Sequence, residues 1–296
     1  MSVDVIALGY QDNWAQILTS AFMRNALIGG TLVALAAGLI GYFIIVRSSA
    51  FAAHALAHIG FPGATGAVLV GLPVTAGLAV FCIGGALVIG ALGKRADERE
   101  VATGTVLAAA TGLGLFFSSL ATKSSSTVTN VLFGNLLAVS HQQLMTFAVA
   151  LAVIAGVVAF VYRPLLFASV NPEVAEAKGV PVRVLSVIFM ALLGLSVTMA
   201  VQAVGTLLLF ALVVTPAATA ILLTARPGAA MAVATGLAVV SVWAGLAVSA
   251  MFNVPPSFVI TTIVSAIWLV VWLIAQRGAK DRSAPAPSHG APVVEG

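Results

Sequence analysis

Residues 21–63 read "AFMRNALIGGTLVALAAGLIGYFIIVRSSAFAAHALAHIGFPG". Two apolar runs, 22–46 and one beginning at residue 50, are separated only by Arg47-Ser48-Ser49. A bilayer core takes about 20 apolar residues in helical form. The stretch therefore reads as one membrane span, a tight turn carrying a single cation, and a second span running back. Gly and Ala recur through both spans. Such small residues let helix backbones approach closely, which is where packing energy arises when lipid supplies no hydrophobic drive.

The rest of the chain has the same character. Of 296 residues, 61% are hydrophobic and only 7% charged, with a mean hydropathy of +1.14. A soluble domain carries about 25% charged residues, so a water-soluble fold is excluded and an all-α polytopic membrane protein is expected. The basic isoelectric point of 9.6 does not indicate nucleic acid, because the cations stand singly between apolar runs. The first 20 residues contain Asp4 and Asp12 and lack the basic and apolar pattern of a cleavable signal peptide. The single cysteine, Cys82, lies in an apolar run and reads as packing.

Working outward, nine runs are long and apolar enough to be spans: 22–46, 50–71, 73–93, 101–121, 141–163, 184–201, 203–225, 229–251 and 254–276. Gly71-Leu72-Pro73, the charged loop "KRADERE" (94–100), Arg226-Pro227-Gly228 and Asn253–Pro256 punctuate them. The weakest boundary is Gln202, where the sixth and seventh runs could form one broken unit, and Thr215-Pro216 predicts a kink in the seventh. If the 164–183 connection is cytoplasmic, 11 of the 13 Lys and Arg residues fall inside, and only Arg24 and Lys123 fall outside. That asymmetry sets the expected orientation, N-terminus outside and C-terminus inside. Residues 1–20 are then an external segment and 21–276 the membrane domain. The Pro-, Ala- and Ser-rich 277–296 segment reads as a disordered cytoplasmic tail.

None of the nine acidic residues falls inside a run. An ion-driven carrier usually holds a carboxylate near mid-membrane, so a stand-alone secondary carrier is disfavoured. No G-x-x-x-x-G-K-[ST] loop is present, so ATP is not bound by that route. Active transport would need a partner that hydrolyses it. His54 and His58 are the only ionisable residues well inside a run, apart from Cys82. His141 stands at the edge of one and reads as interfacial. Spaced four apart, His54 and His58 share a helix face with Cβ atoms roughly 5–6 Å apart. Two neutral imidazoles so placed can share a divalent ion, although a closed zinc site has four ligands. The plainer alternative is a pair of interhelical hydrogen-bond partners. A membrane metalloenzyme is a further alternative, but "HALAH" lacks the glutamate of H-E-x-x-H.

The connection "RPLLFASVNPEVAEAKGVPVR" (163–183) is fully punctuated as a short helix of about two turns, roughly 10 Å long. Asn171 suits the cap and Pro172 the first position. Glu173 and Glu176 lie toward the positive end of the dipole and Lys178 in the last turn. Gly179 suits the left-handed position after the helix, and Pro181 stops continuation. Such a helix is either a plain connector or a docking element for a cytoplasmic partner.

With the 21–63 stretch, three further blocks, "VLFGNLLAVS" (131–140), "YRPLLFASVNPEVAEAKGVPV" (162–182) and "VGTLLLFALVVTPAATA" (204–220), carry a resemblance. From about Ala21 to Ala275 the chain resembles the permease subunits of the zinc, manganese and iron ABC importers. The resemblance implies an all-helical permease related to the vitamin B12 importer permeases with one fewer span. It further implies a homodimer, two cytoplasmic ATPase subunits that hold the ATP, an external metal-binding protein, and inward transport of a divalent ion in the cell membrane. The permease itself would hold no cofactor and catalyse nothing. It places the coupling helix at about 171–179, with Asn171, Pro172, Glu173, Glu176, Lys178 and Gly179. It also assigns transient metal coordination to an Asp-x-x-x-His pair in the second span. His58 matches the family histidine, and His54 stands where the family has aspartate. Imidazole suits Zn²⁺ better than Mn²⁺, so this departure favours zinc as cargo. Asn253 stands where many relatives have an acidic residue.

Overall fold

Ser20 opens the first long helix, its hydroxyl accepting a hydrogen bond from the Met23 amide at 3.4 Å. From there the computed structural model describes residues 14–92, 96–120, 134–206 and 209–282 as helices joined by tight turns. They are α1 Trp14–Thr19, α2 Ala21–Val46, α3 Ala50–Leu69, α4 Val74–Leu92, α5 Ala96–Leu120, a 3-10 turn Leu136–Ala138, α6 His141–Val170, α7 Pro172–Ala177, α8 Val182–Val204, α9 Leu209–Val213, α10 Thr215–Leu223, α11 Pro227–Phe252 and α12 Pro256–Arg282. Asp4, Asp12, Lys94, Arg95, Lys123, His289 and Glu295 lie outside the described residues. So does the tail from residue 283.

Helix occupies every one of the nine apolar runs. Seven helices are long and apolar enough to cross a membrane: α2, α4, α5 from Glu100, α6, α8, α11 and α12 to Arg277. The other two units are α3, which carries the two histidines, and the short pair α9 and α10. The all-α membrane architecture is as expected, and several boundaries move. α6 does not stop at Arg163 but runs through Pro164 to Val170. Its buried stripe Ile154, Val158, Val161, Leu165 and Ala168 recurs at three- and four-residue steps. Packing along that stripe carries the helix past a proline whose ring would ordinarily end it. α5 begins at Ala96, inside the charged connection. α12 continues six residues past 276 to Arg282, so the tail begins as helix. Gln202 lies within α8, its amide donating to the Thr198 carbonyl at 3.0 Å. The break comes three residues later at Gly205, whose φ of +82° a side chain would oppose. The sixth and seventh runs are thus separate units. A second interruption at Val214, just before Thr215-Pro216, divides α9 from α10 where a kink was predicted.

α2 and α8 form the centre. Ala26, Ala34, Ile40, Phe43 and Ile44 of α2 and Phe189, Met190, Leu193 and Val197 of α8 are all fully buried. α11, α6 and α10 pack on α2, while α4 bridges α3 and α8. Two crossings bring backbones into contact. A Cβ at Gly38 would meet the main chain of Thr235 on α11. Gly63 and Gly77 each face the other's carbonyl, so no side chain fits between α3 and α4. The outer helices α5 and α12 leave Leu115, Phe116, Val270 and Ile274 exposed, apolar faces suited to acyl chains.

Candidate functional site

The turn between α2 and α3 is three residues long. The Ser48 amide donates to Ile45 O at 3.0 Å and the Ser49 amide to Ile44 O at 2.8 Å. These are the paired bonds of a Schellman end, with Ser48 left-handed at φ +50°. The buried Ser49 closes the turn through its hydroxyl, which donates to Arg47 O at 3.1 Å. α3 therefore leaves the turn in a defined direction.

One turn later stand the two histidines. Their ring centroids are 4.9 Å apart with an interplanar angle of 71°. Both side chains are half-buried. Ala53, Ala55, Leu56, Ala57 and Ile59 around them are buried. The imidazoles thus lie on the one partly open strip of a helix otherwise packed in the core. His54 also meets the Phe210 ring of α9 edge-on, at 6.2 Å and 81°. α3 continues through Pro62 to Leu69 without a break. Pro62 has no amide hydrogen, so it cannot bond the His58 carbonyl four residues before it. The His58 carbonyl is therefore left without its helical donor.

Among the described residues, no three His, Cys, Asp or Glu side chains come close enough to hold a metal together. Within one chain, the candidate ligand set is therefore the two imidazoles alone. Cys82 is not part of it. Its buried thiol points at the Leu56 carbonyl at 3.4 Å and fills space between α4 and α3. His141 is the exposed first residue of α6, after a capping box formed by Ser140 and Gln143.

The short helix predicted in the 163–183 connection is α7. Asn171 caps it, its Oδ1 accepting from the Val174 amide at 3.1 Å. Pro172 takes the first position and Glu173 the first turn. Lys178 is the C-cap itself rather than part of the last turn. Gly179 follows at φ +79°. The Gly179 amide donates to Glu176 O at 2.9 Å and the Val180 amide to Ala175 O at 3.0 Å, a complete Schellman end. Ala175 is buried, and Asn171, Pro172, Glu173, Glu176, Lys178 and Gly179 are exposed. One small residue anchors the helix and the rest of its surface is exposed.

Sequence reasoning missed Phe210, which lies far from His54 along the chain and gave no local signal. It also missed what Asn253 does: the residue ends α11 in a left-handed conformation, φ +50° and ψ +40°. Asparagine tolerates that region better than most residues, and its place before Val254-Pro255 was the available clue.

The profile of the ABC 3 transport family matches residues 19–275. The manganese transport system membrane protein MntC of Listeria monocytogenes is 35% identical over 263 residues, covering 88% of this chain and 93% of that protein. The manganese import system permease protein ScaB of Streptococcus parasanguinis is 31% identical over 265 residues, covering 89% and 94%. Among solved structures, PsaBC from Streptococcus pneumoniae in complex with Fab matches with a TM-score of 0.81 and 29% identity, over 92% of this chain and 99% of that one. A metal-chelate type ABC transporter in an inward-facing conformation shares the fold with a TM-score of 0.66 at 16% identity.

Proposed function

The chain belongs to the ABC 3 transport family of permeases, and from that membership we propose that it is the membrane-spanning subunit of an ATP-driven importer of a divalent metal ion. The observation that carries the cargo class is the imidazole pair on the partly open strip of α3, 4.9 Å between rings. An incomplete ligand set suits a conduit, because an ion held by four fixed ligands would not leave. The N-terminus is outside and the C-terminus cytoplasmic, as the Lys and Arg distribution requires. The exposed α7 then faces the cytoplasm, where a separate ATPase subunit docks and hydrolyses the ATP. An external metal-binding protein delivers the ion. We read the assembly as a homodimer from the family resemblance, each copy carrying its own incomplete imidazole pair. A population of single permease chains in the purified, functional complex, measured by native mass, would refute the dimer.

Manganese is the first cargo proposed, because the named relatives are manganese systems. Those relatives give the zinc preference read from His54 no support. His54 in place of a carboxylate still favours zinc at this one position, so zinc is the second reading. Cellular metal content under limiting manganese and limiting zinc separates them, in a host lacking its own permease. Restored manganese alone establishes the first, restored zinc alone the second, and restoration of neither defeats the proposal.

A further inference from the structure

Arg47 caps α2 as the first residue of the α2–α3 turn, seven positions ahead of His54. Its half-buried side chain turns toward neighbouring helices. Nη1 donates to Ser169 Oγ of α6 at 3.1 Å. The guanidinium carbon lies 5.0 Å from the ring centroid of Phe189 on α8, within the range of a cation–π contact. Ser169 is itself fixed, its hydroxyl donating to Leu165 O at 2.6 Å. It stands two residues before Asn171, the cap of α7. Phe189 is fully buried on the helix that leads away from α7. One guanidinium therefore joins three elements: the helix entering α7, the helix leaving it, and the turn that launches α3.

We propose that Arg47 is a positioning residue that ties the movement of α7 to the orientation of His54 and His58. The proposal rests on the transport reading above. A rigid link is needed because α7 touches the core only through Ala175. Its neighbours α6 and α8 must carry any displacement onward. The α2–α3 turn is suited to receive it, since three residues with paired Schellman bonds leave little slack before the imidazoles. The guanidinium suits the task as lysine would not. Its planar head can donate sideways to Ser169 while its face lies on Phe189, whereas an ammonium is a single point charge.

The test uses the permease assembled with its cognate ATPase in proteoliposomes, with Mn²⁺ and Zn²⁺ as probes. ATP hydrolysis and metal uptake are recorded together. Arg47→Met keeps the stem and loses the contacts to Ser169 and Phe189. It should retain bound ATPase and hydrolyse ATP while the metal moved per ATP falls about tenfold, the scale of one charge-assisted hydrogen bond. Arg47→Lys should recover only part of that ratio. Ser169→Ala should lower it in the same direction and add little on top of Arg47→Met. A wild-type ratio in Arg47→Met, or full additivity with Ser169→Ala, overturns the proposal. If Arg47→Met does not accumulate, Ser169→Ala and Phe189→Leu decide in its place, and wild-type ratios in both overturn it. A wild-type complex that recruits no ATPase or moves neither metal defeats the transport reading itself. Normal wild-type transport with an unchanged Arg47→Met ratio defeats this inference alone.

Discussion

The imidazole face of α3 and the short helix α7 are built on opposite principles. α7 is specified by its own nine residues, 171–179: an asparagine cap, a proline, an acidic first turn and a left-handed glycine, all found where local chemistry puts them. Only Ala175 ties it to the core. α3 has no side-chain cap, a proline inside and two histidines on a buried background. It exists because α4, α5 and α8 enclose it. A locally encoded element presents an exposed surface, while a globally held one carries the imidazole pair. The two kinds of region should therefore fail differently when mutated.

The largest effect is expected where α3 depends on its surroundings most. Gly63→Leu would drive a side chain into the Gly77 carbonyl, with Phe81 Cβ only 2.8 Å from the new Cβ. Overpacking costs roughly 1–3 kcal/mol and more when it presses on backbone. Thermal unfolding in detergent should show a lowered midpoint, with less protein in the membrane. A Gly63→Leu protein of normal stability would break the view that α3 is held by its neighbours.

Next comes the chemistry of the same helix. His54→Ala/His58→Ala should leave the melting temperature nearly unchanged, because both rings lie on the partly open strip of α3 rather than in its packed face. Metal accumulation should fall at least about tenfold, given that even outer partners of metal ligands are worth roughly 10–100-fold in affinity. His58→Ala alone should account for most of the loss if His58 holds the family position. Undiminished accumulation at equal expression would make the rings structural and erase the chemical half of the contrast.

Gly179→Pro tests the other region. Proline cannot adopt φ +79° and lacks the amide that donates to Glu176 O at 2.9 Å. The Schellman end should open at a cost of about 3 kcal/mol. The rest of the bundle should stay intact, because α7 contributes one buried residue. Co-purification of the ATPase should drop while the melting temperature holds. Parallel loss of both would show α7 to be part of the core. Charge reversal of Glu173 and Glu176 should weaken docking less, since both are exposed and the capping bonds survive.

The same contrast explains what could be read from the sequence. The membrane class, the nine helical runs, α7 with its Asn171 cap and its Gly179 stop, and the spacing of His54 and His58 all follow from composition, run length and short-range chemistry. The passage of α6 through Pro164 does not. Arg163-Pro164 is a sound local stop signal, overridden by a buried stripe whose partners are distant in sequence. Phe210 against His54 and Arg47 against Ser169 and Phe189 were equally hidden, since only the packed bundle brings them together. The candidate site was thus half legible: its two side chains were visible, while its enclosure and its link to α7 were not.

The smallest effect belongs to Asn171, and it is the most discriminating. Asn171→Ala removes the Oδ1 that accepts from the Val174 amide at 3.1 Å and should cost about 1 kcal/mol of local stability. Asn171→Asp keeps an acceptor at the same position and adds charge where the helix dipole favours it. The alanine variant should therefore weaken ATPase binding a few-fold and the aspartate variant hardly at all, measured as the affinity of the detergent-solubilised permease for the ATPase. If both weaken it equally, Asn171 touches the ATPase directly and its cap bond is secondary. If neither does, α7 is held in shape by Arg47 and the ends of α6 and α8. The short helix would then be globally determined after all, as α3 is.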